Sequence, residues 1–119
     1  MSIKLFDSEL NIMEILWQEG DTTAKKIAEI TKEKIGWSKT TTYTVIKKCL
    51  DKGAIERQEP NFVCRALVTR EQVQEHETTE LINKLYNGAP DRLVASLLGQ
   101  KRLTSEEIIR LKQLIEKLQ

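Results

Sequence analysis

The sequence predicts a mainly α-helical fold with a small β wing, on three observations. Hydrophobic residues recur at helical spacing in three successive segments before residue 53. Two short strand-like segments then flank a turn at residues 59–61, and helical patterns with capping residues return from residue 69 onward. Three compact helices and a short β segment are the order of a winged helix-turn-helix domain. We therefore predict that domain over residues 1–68 and a separate helical region over residues 69–119.

Capping residues and glycines define the first two helices. One of the polar residues at positions 7 and 8 caps a helix that Gly20 stops. One of the two threonines at positions 22 and 23 starts a shorter helix that ends before Gly36. Their apolar residues keep helical register, so we interpret them as core.

The third helix, between Ser38 and Gly53, is the most informative segment because its two faces differ. Apolar residues at i, i+3, i+4, i+7 and i+8 make one face fit for a core. The other face carries hydroxyls, ammonium groups and a phenol, with no acid before Asp51. Four threonines cost this helix about 2 kcal/mol in propensity, which points to selection for a surface that meets phosphates and base edges. The alternative is that Ser38 and the threonines only cap the helix.

The predicted wing contains two strands, over residues 54–58 and 62–68, that are too short to be stable alone. Ile55, Phe62 and Cys64 are therefore predicted to pack inward on the helices.

Positive charge concentrates around the third helix and the wing. The whole chain has a formal charge of +1, but residues 34–65 contain seven bases and three acids. We expect Arg57 or Arg65 to reach a neighbouring backbone from the wing. An alternative that fits equally well is that these arginines form ordinary surface ion pairs.

Three further helices follow the wing. Thr69 with Gln72 and Thr104 with Glu107 form capping boxes, and Pro90 suits the first turn of a short helix between them. The region has many aliphatic side chains but one aromatic and no sheet to pack on, so a partner subunit should bury them. We predict a homodimer joined through residues 70–119.

Other functional classes lack their signatures. No segment is long and apolar enough for a membrane span, and the amino terminus does not read as a signal peptide, which predicts a cytoplasmic protein without membrane insertion. His76 has no Cys or Asp at metal-ligand spacing, and Cys49 and Cys64 form no CxxC or CxC motif. No nucleophile motif or phosphate loop is present, so we predict no enzyme, no bound metal and no cofactor.

The segments LNIMEILWQEG, TTAKKIAEI, SKTTTYTVIKKCLDKGAIER, ALVTREQ and LINKLYNGAPDRLVASLL, in this order, resemble the BlaI/MecI/CopY family of bacterial repressors. The resemblance spans nearly the whole chain. It implies a winged-helix homodimer that represses transcription by occupying double-stranded operators with inverted repeats, over genes for antibiotic resistance or metal homeostasis.

The resemblance also implies roles for individual residues. The helix that would enter the major groove carries Ser38, Lys39, Thr40, Thr41, Tyr43, Thr44, Lys47 and Lys48, and the wing carries Arg57, Asn61 and Arg65. The dimer side carries Leu81, Leu85, Leu93, Leu97, Leu111 and Leu118.

We expect this helix to discriminate only modestly between DNA bases. The helix has no arginine for a bidentate guanine contact and no Asn or Gln for adenine. Threonine methyls and hydroxyls remain, together with lysines that reach guanine or phosphate. Operator symmetry and DNA shape should supply further discrimination.

The inducing signal is where the sequence departs from the family. Copper-responsive relatives carry a carboxyl-terminal CxC motif, whereas this chain has no cysteine after Cys64. β-Lactam-responsive relatives are cleaved at an Asn-Phe bond, and the matching position here is Ser96-Leu97, so a membrane sensor protease of different specificity would be needed.

Two other functions are weighed against a repressor. In one, the winged helix binds protein and its Thr and Lys face is merely hydrophilic; charge reversal at Lys47 and Lys48 would then leave the partner bound. In the other, His76 and Cys64 converge on a metal that gates DNA binding.

Overall fold

The computed structural model describes residues 3–118 and confirms the predicted fold class. The described chain contains six helices and a three-stranded antiparallel sheet. It forms two compact units, one ending at Glu77 and one beginning at Thr78. The elements are α1 (Asp7–Glu19), β1 (Thr22–Thr23), α2 (Ala24–Ile35), α3 (Lys39–Asp51), β2 (Ile55–Gln58), β3 (Val63–Ala66), α4 (Arg70–Leu85), α5 (Pro90–Gly99) and α6 (Ser105–Lys117).

Most helix starts agree with the caps predicted from sequence, and α1 is the exception. Side chains of Thr23, Ser38, Thr69 and Thr104 each accept a backbone N–H in the first turn that follows. The N-cap of α1 is Phe6, however, so the prediction of a polar cap at position 7 or 8 was wrong. The buried Glu9 carboxylate accepts the N–H of Phe6 at 2.8 Å instead.

The first unit has one continuous hydrophobic core. It lies among α1, α2, α3 and the sheet, where Ile12, Met13, Ile27 and Ile46 are completely buried. Trp17 packs against this core and donates its indole N–H to the carbonyl of Val68, just after β3, at 2.9 Å.

The wing is part of a larger sheet than the sequence predicts. Its strand order is β1-β3-β2, because Thr22 and Thr23 pair with the outer side of β3. The N–H of Ala24 also donates to the carbonyl of Phe62 at 2.9 Å. These bonds tie the hairpin to the start of α2. Of the residues predicted to pack inward, Ile55 and Cys64 are buried and Phe62 is half-buried against the core.

A buried pair of hydroxyls joins α2 to α3. The side-chain oxygens of Thr31 and Thr42 lie 2.6 Å apart, and both residues are almost completely inaccessible. Thr31 also donates to the carbonyl of Ala28, so the shared proton comes from Thr42. This bond fixes the two helices of the helix-turn-helix relative to each other.

In the second unit, residues 78–118 form no such core. Neither α5 nor α6 has a buried residue. Leu114 and Ile115 are each more than half exposed, and the Tyr86 hydroxyl donates to Ser96 Oγ at 3.3 Å. Among residues 3–118, no helix is long and apolar enough to cross a lipid bilayer.

Candidate nucleic-acid interface

The exposed face of α3 follows from the burial of its other face. Thr42, Val45, Ile46 and Cys49 face the core, which leaves the intervening positions toward solvent. Tyr43 is half-buried, and the other seven polar residues that the sequence assigns to this helix are exposed. Five of these eight residues line a shallow depression along the helix: Lys39, Thr40, Tyr43, Thr44 and Lys47.

The threonine hydroxyls of this face have defined hydrogen-bonding capacity. Ser38 Oγ donates to Thr41 Oγ1 at 3.0 Å, which leaves the Thr41 proton for an outside acceptor. Thr44 donates its proton to the carbonyl of Thr40 at 2.9 Å, so it offers its methyl group and its acceptor lone pairs. The two hydroxyls therefore present opposite hydrogen-bonding character.

The lysines of the face are available to an anion. Among residues 3–118, Lys39, Lys47 and Lys48 have no carboxylate within ion-pair distance. The Lys39 ammonium lies 5.7 Å from the centroid of the Tyr43 ring, a distance suited to a cation–π contact. Positive charge is thus exposed without local neutralisation.

Two further lysines extend this surface and were missed by the sequence analysis. A second depression between α2 and α3 is lined by Lys25, Ala28, Glu29, Lys32 and Ser38, and it shares Lys39 with the first one. Seven-residue spacing places Lys25 and Lys32 on one side of α2, but only packing decides that this side adjoins α3.

The wing arginines occupy ion pairs. Arg57 pairs with Glu59, whereas Arg65 lies 3.5 Å from Asp21 and 3.9 Å from Glu56. All these side chains are about half exposed, and such pairs contribute at most about 1 kcal/mol, so a phosphate can compete for either arginine. Asn61 is exposed at the tip of the wing with a φ of +75°.

The leucines assigned to the dimer side all lie in the second unit. Leu81, Leu85, Leu111 and Leu118 are exposed, and Leu118 is 86% accessible. The two remaining residues, Leu93 and Leu97, are half-buried in α5.

The predicted cleavage position lies inside a helix. Ser96 and Leu97 are half-buried in α5, and Ser96 Oγ accepts hydrogen bonds from Tyr86 and from Gln100. A protease needs an extended substrate, so this turn of α5 would have to open first.

The thiols are poorly suited to metal or redox chemistry. Burial raises the pKa of Cys49 to about 12 and that of Cys64 to about 11, with the Glu9 carboxylate adding to the shift at Cys49. Both thiols stay protonated at neutral pH. In the described part of the chain, no group of three or more His, Cys, Asp and Glu residues is placed to hold a metal ion.

Comparison with known proteins identifies the family. Residues 5–117 match the penicillinase repressor family. The chain belongs to that family. The methicillin resistance regulatory protein MecI of Staphylococcus aureus is 28% identical over 116 residues, which cover 96% of this chain and 94% of that protein. The penicillinase repressor of Bacillus licheniformis is 24% identical over 115 residues, covering 95% and 90%. The resemblance stated from the sequence is confirmed.

A solved structure supports the fold of the first unit. The Bacillus licheniformis BlaI monomer, in complex with the blaP half-operator, matches 58% of this chain and 87% of that chain with a TM-score of 0.51 and 20% identity. At this identity the match supports the fold and leaves individual contacts to be tested.

Proposed function

We propose that this member of the penicillinase repressor family is a sequence-specific transcriptional repressor that binds operator DNA through α3 and the wing. The observation that carries the proposal is the exposed face of α3, where three lysines lack carboxylate partners among residues 3–118 and lie beside three exposed threonines. BlaI, a relative with a similar fold, is itself bound to an operator half-site.

The exposed face of α3 would enter the major groove. Lys47 and Lys48 would neutralise phosphates or reach guanine, while the Thr41 hydroxyl donates to a base acceptor and the Thr44 methyl contacts a thymine methyl. Arg57, Asn61 and Arg65 of the wing would contact the flanking backbone. Because the contacts to bases are few, most affinity should come from phosphates and fall steeply with salt.

Homodimerisation through the second unit would align two such surfaces on an inverted repeat. The apolar side chains of α5 and α6 are exposed in the single chain, and a twofold partner presents the same surface in return. Leu114→Lys should convert the dimer to a monomer at micromolar concentration in sedimentation equilibrium. Lys112→Ala on the same helix is the control; a monomeric unsubstituted protein would refute the dimer.

DNA binding is tested by fluorescence anisotropy on the chain's own upstream DNA and on a scrambled duplex, at several salt concentrations. Thr41→Ala and Thr44→Ala should reduce the preference for upstream DNA. Lys47→Ala should weaken binding to both duplexes. It should also reduce the salt slope, the slope of log affinity against log salt concentration, by about one. Lys112→Ala makes the same charge change in the second unit and should leave the slope unchanged.

Two outcomes would overturn the proposal. One is equal, weak binding to both duplexes by the unsubstituted protein. The other is unchanged DNA binding after charge reversal at Lys47 and Lys48, which would favour the protein-interaction module.

Relief of repression by cleavage at Ser96-Leu97 stays a prediction. Exposure to a sensor protease should release a fragment ending at Ser96, measured by mass spectrometry. Substituting Leu97 with proline should block that cut, whereas cleavage elsewhere with loss of operator binding would contradict the predicted position.

A further inference from the structure

We propose that Phe62 is a positioning residue, which couples the wing to α3 and holds Arg57 ready to contact a DNA phosphate. This inference rests on the proposed function and adds how the two parts of the interface are kept in register. It depends on a row of side chains that no local sequence pattern connects: Lys39, Tyr43, Phe62 and Arg57.

Phe62 contacts both parts of the interface. Its ring meets Tyr43 of α3 edge to face, with centroids 5.9 Å apart and planes at 84°. On the wing side, the guanidinium carbon of Arg57 lies 3.7 Å from the centroid of the same ring. Tyr43 lines the depression on α3, so the phenylalanine ring connects that surface directly to Arg57.

The backbone at Phe62 is held in an unusual conformation. Phe62 has a φ of +52° and follows Asn61 at +75°, in the left-handed region that a bulky side chain rarely adopts. The N–H of Ala24 donates to the Phe62 carbonyl at 2.9 Å, and the two ring contacts hold the side chain. Such a conformation persists only where its surroundings determine it, which is consistent with a positioning role.

Arg57 is restrained on two sides in the free protein. The Phe62 ring covers one side of its guanidinium, and the exposed Glu59 carboxylate accepts a hydrogen bond from its Nε. Holding the side chain in place removes part of the entropy lost when it binds an anion. A phosphate would replace Glu59 as the partner of Arg57, so Glu59 competes with DNA.

The test is a double-mutant cycle on operator affinity in the full-length protein, with Arg57→Ala, Phe62→Leu and the pair. Each single change should weaken operator binding several-fold and reduce the salt slope by about one. The pair should lose no more than Arg57→Ala alone, because Phe62 acts through Arg57. Phe62→Tyr keeps the ring and should restore the slope.

A second measurement covers the case in which Phe62→Leu fails to fold. Glu59→Gln should tighten binding to operator and scrambled DNA alike, by a few-fold. Unchanged affinity in that variant would overturn the inference, and so would additive losses in the cycle or an unaltered salt slope for a folded Phe62→Leu protein. If the unsubstituted protein binds no DNA, the proposed function and this inference both fail; normal binding with additive losses removes this inference alone.

Discussion

The two units of this chain differ in whether their apolar side chains are buried within the unit. Up to Glu77, aliphatic residues from three helices and a sheet meet in one core, with Ile12, Ile27 and Ile46 fully buried. From Thr78 onward, α5 and α6 have equally regular apolar stripes but no buried residue. Amphipathic patterning is therefore enough to specify a helix, whereas the element that covers its apolar face depends on the rest of the chain or on a second subunit.

The largest expected effect is on the free energy of unfolding, whose dependence on protein concentration should differ between the two units. Ile46→Ala should lower the free energy of unfolding by about 2–5 kcal/mol at every protein concentration, because it opens a cavity in the first core. Leu114→Ala, at a 57% exposed position, should act only where dimers form. Urea denaturation at several protein concentrations measures both; the same concentration-independent loss in each would remove the contrast.

A buried ion pair specific to the first unit should have the next largest effect. The Lys52 ammonium lies 2.5 Å from Glu9 Oε1, 2.7 Å from the carbonyl of Lys4 and 4.1 Å from the Phe6 ring centroid. Lys52→Met leaves the Glu9 carboxylate buried and without its cation, which should cost about 3 kcal/mol. Denaturant unfolding provides the measurement.

The matched control for this pair is exposed. Arg70→Met breaks the 2.7 Å pair with Glu14, in which both side chains are more than 40% exposed, and should cost less than about 1 kcal/mol. Adding Glu9→Gln to Lys52→Met should recover part of the loss. Equal costs for Lys52→Met and Arg70→Met would show that burial of Glu9 is unimportant.

The hydroxyl pair between α2 and α3 should have a smaller effect. Thr42→Val removes the proton donated to Thr31 and should destabilise the first unit by about 1 kcal/mol. Thr40→Val changes an exposed residue of the same helix and should stay within about 0.5 kcal/mol of the unsubstituted protein. A thermal unfolding midpoint that moves equally in both variants would count against the pair.

The smallest effect should come from the capping box of α6. Hydrogen bonds from the backbone N–H and the hydroxyl of Thr104 lower the pKa of Glu107. Because the folded pKa is depressed, the contribution is complete above the ordinary glutamate pKa and is lost as pH falls through the lower folded value. Thr104→Ala should reduce helicity near neutral pH, and circular dichroism should show that this deficit shrinks in acid.

The helix faces and helix caps show which features local sequence patterns can predict. The faces of α3 and the capping boxes at Thr69 and Thr104 were predicted correctly, since each depends on residues within about one turn. The cap of α1 was wrong because a buried carboxylate at Glu9 took the place of a surface cap. The assignments of residues to DNA binding and to the dimer interface stay predictions, because the chemistry of an exposed face does not identify its binding partner.

Local sequence patterns were enough to predict the helix starts at Ser38, Thr69 and Thr104, the apolar side of α3, and a wing that follows Gly53. Three features came only from tertiary packing: Thr22 and Thr23 join the sheet, Lys52 forms an ion pair with Glu9, and Phe62 lies between Tyr43 and Arg57. Hydrophobic periodicity indicates whether a side chain is buried. Its contact partners come from distant segments and are chosen only when those segments pack together.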